Sequence, residues 1–337
     1  MRSGSVGEVG WYRRRGYTVG TLGVEDSAGP VVEADELNAR LLSLTNAVRS
    51  PAEGLFGPDS ELWNINRHTA MFLGSGRAAL LQTAHPAVAQ AIAHHSRVRV
   101  EPLGRFHRTF RQIFSMIWGD LDTALAASRR VYAVHTRING RFDEKVGRYR
   151  PGDLYRARDR EAVLWVHATL WETSILMYEN FVGPLSPRRK EAYYAETRRF
   201  AALFGLDYDE LPDTWSAFER YNRGMWESGE LAVGEAGAEI ASYLFRAPDP
   251  LLQPAFDRLR LLTAHLLPVP VREAFAMELS ASDERRTERL VKRMRWLIPR
   301  LPARVRYLPP YHGARTRLGL ARRHLLDRPL LRLYVGE

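Results

Sequence analysis

Asp159-Arg160-Glu161-Ala162-Val163-Leu164-Trp165-Val166-His167-Ala168-Thr169-Leu170 opens the run that decides the fold. It continues to about Phe181, where Gly183-Pro184 breaks it. Val163, His167, Leu170, Ser174 and Met177 recur at helical spacing, so the segment reads as a helix with a histidine on its apolar stripe. A second run, Arg129-Arg130-Val131-Tyr132-Ala133-Val134-His135-Thr136-Arg137-Ile138-Asn139-Gly140, repeats the device with Val131, His135, Ile138 and Phe142. A histidine facing a core is costly unless its ring nitrogens find partners. Two such helices packed face to face put both rings in one cavity and hold a metal centre between two imidazoles. The plainer alternative is that each ring is a core polar group bonded to a carbonyl or a serine. With no cysteine in the chain, the metal reading points to haem b, since imidazole is a common axial ligand of haem iron.

Working outward, the pattern stays helical almost throughout. Ala34 to Arg49 reads as an amphipathic helix stopped by Ser50-Pro51, and Gly54 to Asp59 as a loop. Gly76 to Ala84 is a short helix, and Pro86 sits as the first residue of the next, to about His95. Pro102 to Trp118 and Leu121 to Asn139 follow, with Gly119 and Gly140 as stops, then a connector from Arg141 to Arg158. Ser186 caps a helix that carries Pro187 in its first turn and ends near Phe204-Gly205. Further helices are expected from Pro212 to Trp226, Val233 to Phe245, Leu251 to Leu267, Arg272 to Met277, Asp283 to Ile298 and Ala314 to Leu326. No run of alternating β-branched residues predicts a sheet. The expected fold class is all-α: a loose arm over residues 1–30, then one multi-helix domain over 31–337.

Composition narrows the function classes. An apolar content of 45% and a charged content of 26% are ordinary globular values. No stretch is long and apolar enough to span a bilayer. Arg13-Arg14-Arg15 is not followed by an apolar run, so no secretory signal is expected; the location expected is cytoplasmic or at a membrane periphery. The absence of cysteine removes thiolate-ligated haem, covalent haem attachment, cysteine-zinc sites and a cysteine nucleophile. The net charge is +10, and fifteen Lys/Arg face only Glu288 and Asp327 between Arg285 and Arg332. No nucleic-acid-binding module accompanies this stretch, so nucleic acid is not an expected partner. Its arginines interleave with Trp296, Leu297, Ile298, Leu301, Val305, Tyr307 and Leu308, as in a segment that touches a membrane or an apolar substrate.

Several motifs fail. Gly74-Ser75-Gly76 begins like a dinucleotide loop, but Ala79 stands where the third glycine belongs and no strand precedes it. No glutamate lies three residues before any histidine, which argues against a carboxylate di-iron bundle. His85, before Pro86, reads as a capping or turn residue, and His94 and His95 as cations at a helix C-terminus, with His95 on the apolar side. His68, His107, His265, His312 and His324 read as surface or boundary residues.

Taken together, several blocks resemble one family. They are Arg77 to Ala89, His95-Ser96, the His135 segment, Trp165-Val166-His167-Ala168-Thr169-Leu170, Tyr178 to Ser186, and Glu191-Ala192-Tyr193-Tyr194-Ala195-Glu196. The chain resembles, over about residues 70 to 280, the family of the mycophenolic-acid-pathway oxygenase MpaB and the rubber oxygenase (latex-clearing protein) catalytic domain. The resemblance implies an all-helical, globin-like core holding a non-covalent haem b. It implies dioxygen as co-substrate and, in the rubber-cleaving members, cleavage of a carbon–carbon double bond. It maps the proximal histidine onto His167 and the distal lysine-threonine pair of the rubber enzymes onto His135-Thr136. Tyr132 stands where those enzymes carry a distal arginine, and Phe110 to Gly119 contains no glutamate to match their base.

Two roles stay open for His135: sixth ligand, or hydrogen-bond donor on the distal side. Arg77, Arg97 and Arg137 are candidates to pair the haem propionates, since guanidinium binds carboxylate bidentately. The leading expectation is a haem-dependent oxygenase or peroxygenase acting on an apolar small molecule or lipid-like chain. The alternatives are a haem-binding sensor or carrier without turnover, and a helical binding protein with no metal.

Overall fold

Polar side chains fix where the helices begin. The structure, a computed structural model, describes residues 29–96, 102–322 and 331. Asp120, Asp159, Ser186 and Thr214 each accept a bond from a backbone N–H of the first turn, at 2.8, 3.1, 3.3 and 3.2 Å. The helices are α1 (Ala34–Ala47), α2 (Glu61–Asn66), α3 (Ser75–Thr83), α4 (Pro86–His95), α5 (Pro102–Trp118), α6 (Leu121–His135), α7 (Arg160–Phe181), α8 (Pro187–Ala201), α9 (Trp215–Glu227), α10 (Glu235–Leu244), α11 (Gln253–Leu266), α12 (Val269–Ala274), α13 (Ala281–Leu297), α14 (Ala303–Arg306) and α15 (Pro309–Arg317). Short 3-10 turns join them, notably Thr69–Gly74 and Ala202–Phe204. The fold is all-α in one domain, as expected from the sequence.

The molecule is built around α7. At 22 residues it is about 33 Å long, and its buried residues occupy every side. A helix apolar all round has to be enclosed. Here α2, α3, α8, α9, α13 and the Thr69–Gly74 turn enclose it. Trp165 and Trp171 anchor its middle, and the Trp165 indole donates to the Leu81 carbonyl at 2.8 Å. Gly74 lies so close that a Cβ there would stand 2.5 Å from Thr173 Cγ2 and 2.7 Å from Met177 Cγ. That close approach, not phosphate binding, is the use of the glycine in Gly74-Ser75-Gly76.

Four expectations are corrected. The helix expected to run to Asn139 ends at His135, because Asn139–Arg141 (β1) pairs antiparallel with Leu154–Arg156 (β2). The connector therefore contains a two-stranded sheet, and three-residue strands are too short to show an alternating pattern. Glu61–Asn66 is a helix that the sequence reading passed over, started by Ser60. Pro309 and Pro310 do not interrupt the chain but occupy the first turn of α15, so the final described helix starts five residues earlier than expected. The arm over residues 1–28, Arg97 and the chain beyond Arg322, Leu331 excepted, lie outside the described residues.

Candidate functional site

His167 sits in the first half of α7, and 4% of its surface is exposed. One turn on, the Trp171 indole N–H donates to His167 Nδ1 at 2.9 Å. Its Nε2 is buried with no hydrogen-bond partner among the described residues. Burial alone lowers its pKa from 6.5 to about 3, so the ring is neutral at pH 7. The rings of Trp171 and Phe200 lie 5.7 and 6.2 Å from it, centroid to centroid, and Phe200 continues to Phe204 at 5.5 Å.

His135 ends α6 in a different setting. Its ring is half-buried and has no hydrogen bond among the described residues, and burial lowers its pKa to about 4. It lines a small cavity of about 10 Å³ with Ser128, Val131 and Tyr132 of α6, Val163 of α7, and Leu203 and Phe204 of the turn that follows α8. That is room for one water-sized molecule. Val32 and Arg158 complete the wall, and His167 is not part of it. The two imidazoles thus do not share this cavity; Phe204 lines it, and Phe200, next to Phe204, packs against His167. Helix α6 packs broadly on α5 rather than on α7.

The other candidates divide. Thr136 is exposed and its hydroxyl donates to the Ala133 carbonyl at 2.9 Å. Arg137, next to it, is exposed. Arg77 is buried, with its donors committed. Its Nε donates to the Leu266 carbonyl at 2.7 Å, Nη1 to Thr173 at 2.7 Å and to Glu172, and Nη2 to Glu172 at 3.1 Å. In this arrangement Arg77 already holds a carboxylate of its own chain. Arg97 lies outside the described residues.

Sequence reasoning missed three features. Trp171 is one; a donor four residues after a histidine on one helix face was the available signal. Glu172 is another, an acid in the middle of a helix with no polar face, which had to have a buried cation. The third is a polar cluster joining α4 to the hairpin. His94 Nε2 donates to Asp143 at 2.7 Å while its Nδ1 accepts from the Tyr155 hydroxyl at 2.9 Å. His95 Nε2 donates to the Asn139 carbonyl at 3.1 Å. These two histidines therefore fasten the hairpin as well as ending a helix. Two surface assignments are also corrected. His68 and His312 are buried, and His68 lies edge-on between Tyr178 and Tyr307. His85 stands at the N-cap of α4, but its buried ring makes no capping bond.

A family profile described as "ER-bound oxygenase mpaB/B'/Rubber oxygenase, catalytic domain" matches residues 63–296. The chain belongs to this family. The match begins in α2, takes in α7 with all its neighbours and ends in α13, so it covers both histidine sites and the buried ion pair. What the family establishes is coarse: an oxygenase catalytic domain, and with it a small-molecule substrate and dioxygen. No curated protein and no solved structure matches the chain.

The donor chemistry can be tested against a haem. Among the described residues no three His, Asp or Glu side chains gather into a ligating group. A porphyrin supplies four nitrogens of its own and asks the protein for one. His167 fits that demand: a neutral imidazole, buried, with one nitrogen unpartnered. The fit carries a condition. Trp171 can only donate, so it occupies the Nδ1 lone pair and leaves the ring proton on Nε2. To give Nε2 a lone pair for a metal, that proton must move to Nδ1, and the Trp171 indole must turn away from it.

Proposed function

We propose that the chain is a haem b-dependent oxygenase acting on an apolar small-molecule or lipid-like substrate, by oxidative attack on a carbon–carbon double bond. One observation carries the reading: His167 Nε2, buried on the central helix of an oxygenase domain with no hydrogen-bond partner among the described residues. An orphaned ring nitrogen in a packed core costs free energy that a ligand recovers. Haem, when bound, supplies an iron that activates dioxygen. The chain's own parts would be His167 Nε2, once the ring proton has moved to Nδ1 and Trp171 has given way, and the aromatic rings of Phe200 and Phe204 that pack beside it.

The cavity beside His135 favours a second reading. Its volume of about 10 Å³ holds one water-sized molecule and no substrate chain, which suits a haem-binding sensor or carrier without turnover.

Purified protein reconstituted with haem tests the first step. A strong Soret band is expected, and His167→Ala should lose haem retention while keeping an α-helical spectrum. A variant that binds haem as the parent does overturns His167 as ligand. Oxygen uptake with candidate alkenes then separates the readings, since a sensor or carrier consumes none.

A further inference from the structure

We infer that one face of α13 is a docking surface for an anionic lipid bilayer. Helix α13 packs against α11 and α7 through a narrow side that includes Thr287 and the half-buried Leu290, Val291 and Met294. At about 100° per residue, Arg285, Arg286, Arg289, Lys292, Arg293 and Trp296 fall within an arc of roughly 120°, with Leu297 at its edge. All seven are exposed. No acid stands within the arc; Glu284 and Glu288 project to one side of it, and Asp283, which interacts with Arg286, to the other.

The arc itself is wholly positive, with acids only at its flanks. Some arginines elsewhere meet carboxylates, as Arg40 does Asp207, Arg148 Glu161, Arg160 Glu210 and Arg189 Glu61, while others, Arg129 and Arg220 among them, are in no ion pair among the described residues. None of the five cations of this arc has an ion-pair partner among the described residues. A surface that gathers five like charges in one arc, with acids only at its edges, suits an anionic one.

The apolar residues decide which anionic surface. Trp296 is 61% exposed, Leu297 48%, and Val305, just beyond the helix, 51%. Arg300 lies over the Trp296 ring at 4.4 Å, its guanidinium donating to the Trp296 carbonyl. A nucleic acid would satisfy the cations and leave Leu297 and Val305 in water. A bilayer interface satisfies both: phosphates for the guanidinium groups, and the headgroup boundary for an indole and two aliphatic side chains. No described helix is long and apolar enough to cross a membrane, so the contact made by this face is one of lying on the surface.

Flotation of the full chain with vesicles tests this directly. Binding to vesicles of phosphatidylcholine with phosphatidylglycerol should exceed binding to pure phosphatidylcholine by at least about tenfold and fall away as salt is raised. The triple change Arg289→Glu, Lys292→Glu, Arg293→Glu should abolish the difference while the circular dichroism and thermal midpoint stay as in the parent. Trp296→Ala, also exposed, should weaken binding by a smaller factor and leave its salt dependence alone. Equal binding to both vesicles, no binding to either, or a triple variant that binds like the parent overturns the inference. So does a duplex DNA competitor that displaces the vesicles and binds the Trp296→Ala protein as tightly as the parent, which would assign the face to nucleic acid.

Discussion

His135 and His167 occupy equivalent places in two apolar stripes, yet the structure treats them oppositely. His167 lies on a helix enclosed by six neighbours, with an indole on one nitrogen and no partner among the described residues on the other. His135 lies on the last turn of a helix whose end is open, beside Ala133, Val134, Thr136 and Arg137, all exposed. The difference is one of enclosure. Periodicity reports that one face of a helix is apolar; it is silent on how many other elements close around the helix. A stripe bordered by polar residues suffices for α6, whereas the all-round apolar surface of α7 demands a shell.

The largest effect expected from this contrast is at the ion pair that the deep region shelters. Arg77 is buried and Glu172 half-buried, and removing Glu172 leaves the buried guanidinium unpaired while removing Arg77 strips Glu172 of its cation. Arg77→Met should destabilise the protein by about 3–5 kcal/mol in denaturant unfolding, and Arg77→Met with Glu172→Leu should recover most of that loss. A single variant as stable as the parent would show that water reaches this region, and the deep-and-shallow contrast would then fail.

Acid should act next. His167 has its pKa lowered to about 3, so between pH 6.5 and 3 the unfolded chain takes up a proton that the folded chain refuses. Stability contributed by the neutral ring is complete above pH 6.5 and falls by about 1.4 kcal/mol per pH unit below it. His68, His85 and His135 are lowered to about 3, 4 and 4, also chiefly by burial, and add to the slope. Urea midpoints at pH 7, 6 and 5 measure it. His167→Gln should reduce the slope by one proton. An unchanged slope would mean that His167 titrates normally and is not enclosed.

Much of this was legible in the chain. Pro86 and His95 bound α4 as the sequence predicts, and Asp159 starts α7, because proline in a first turn and an acid at an N-cap act locally. The partners of His167 and Arg77 differ in kind. Trp171 lies four residues from His167 and was readable; Glu172 lies 95 residues from Arg77, and no local rule joins them. The hairpin was hidden for a third reason. Ile138 and Phe142 continue the spacing of Val131 and His135, so a helical reading absorbs them. Phe142 is in fact buried against Tyr149 and Tyr155 of the connector.

A smaller effect sharpens the deep side of the contrast. Trp171→Phe keeps the ring packing and removes the only hydrogen bond to His167 among the described residues, at a cost of about 1–2 kcal/mol. In the parent, long-range proton–nitrogen NMR should find the His167 proton on Nε2. In the variant Nδ1 is released and the preference should relax. A proton found on Nδ1 in the parent would mean that Trp171 does not donate to it.

The smallest effect on stability is expected at His135. Its ring is half-buried and unbonded, so His135→Ala leaves no partner stranded and should cost less than about 1 kcal/mol, against about 2–4 for His167→Ala. In haem-loaded protein the order of interest reverses, because retention should survive while coordination or ligand affinity responds. If His135 is a sixth ligand, its loss should move the ferric spectrum from low towards high spin. If it is a distal donor, carbon monoxide and dioxygen affinity should change without a spin change. The cavity bears on which to expect: His135 borders a space for one small molecule, and His167 does not border it. A ring placed beside such a space, apart from the opposite imidazole, suits a donor better than a ligand. A low-spin spectrum that His135→Ala converts to high spin would overturn that reading and require α6 and α7 to bring the two rings to one iron.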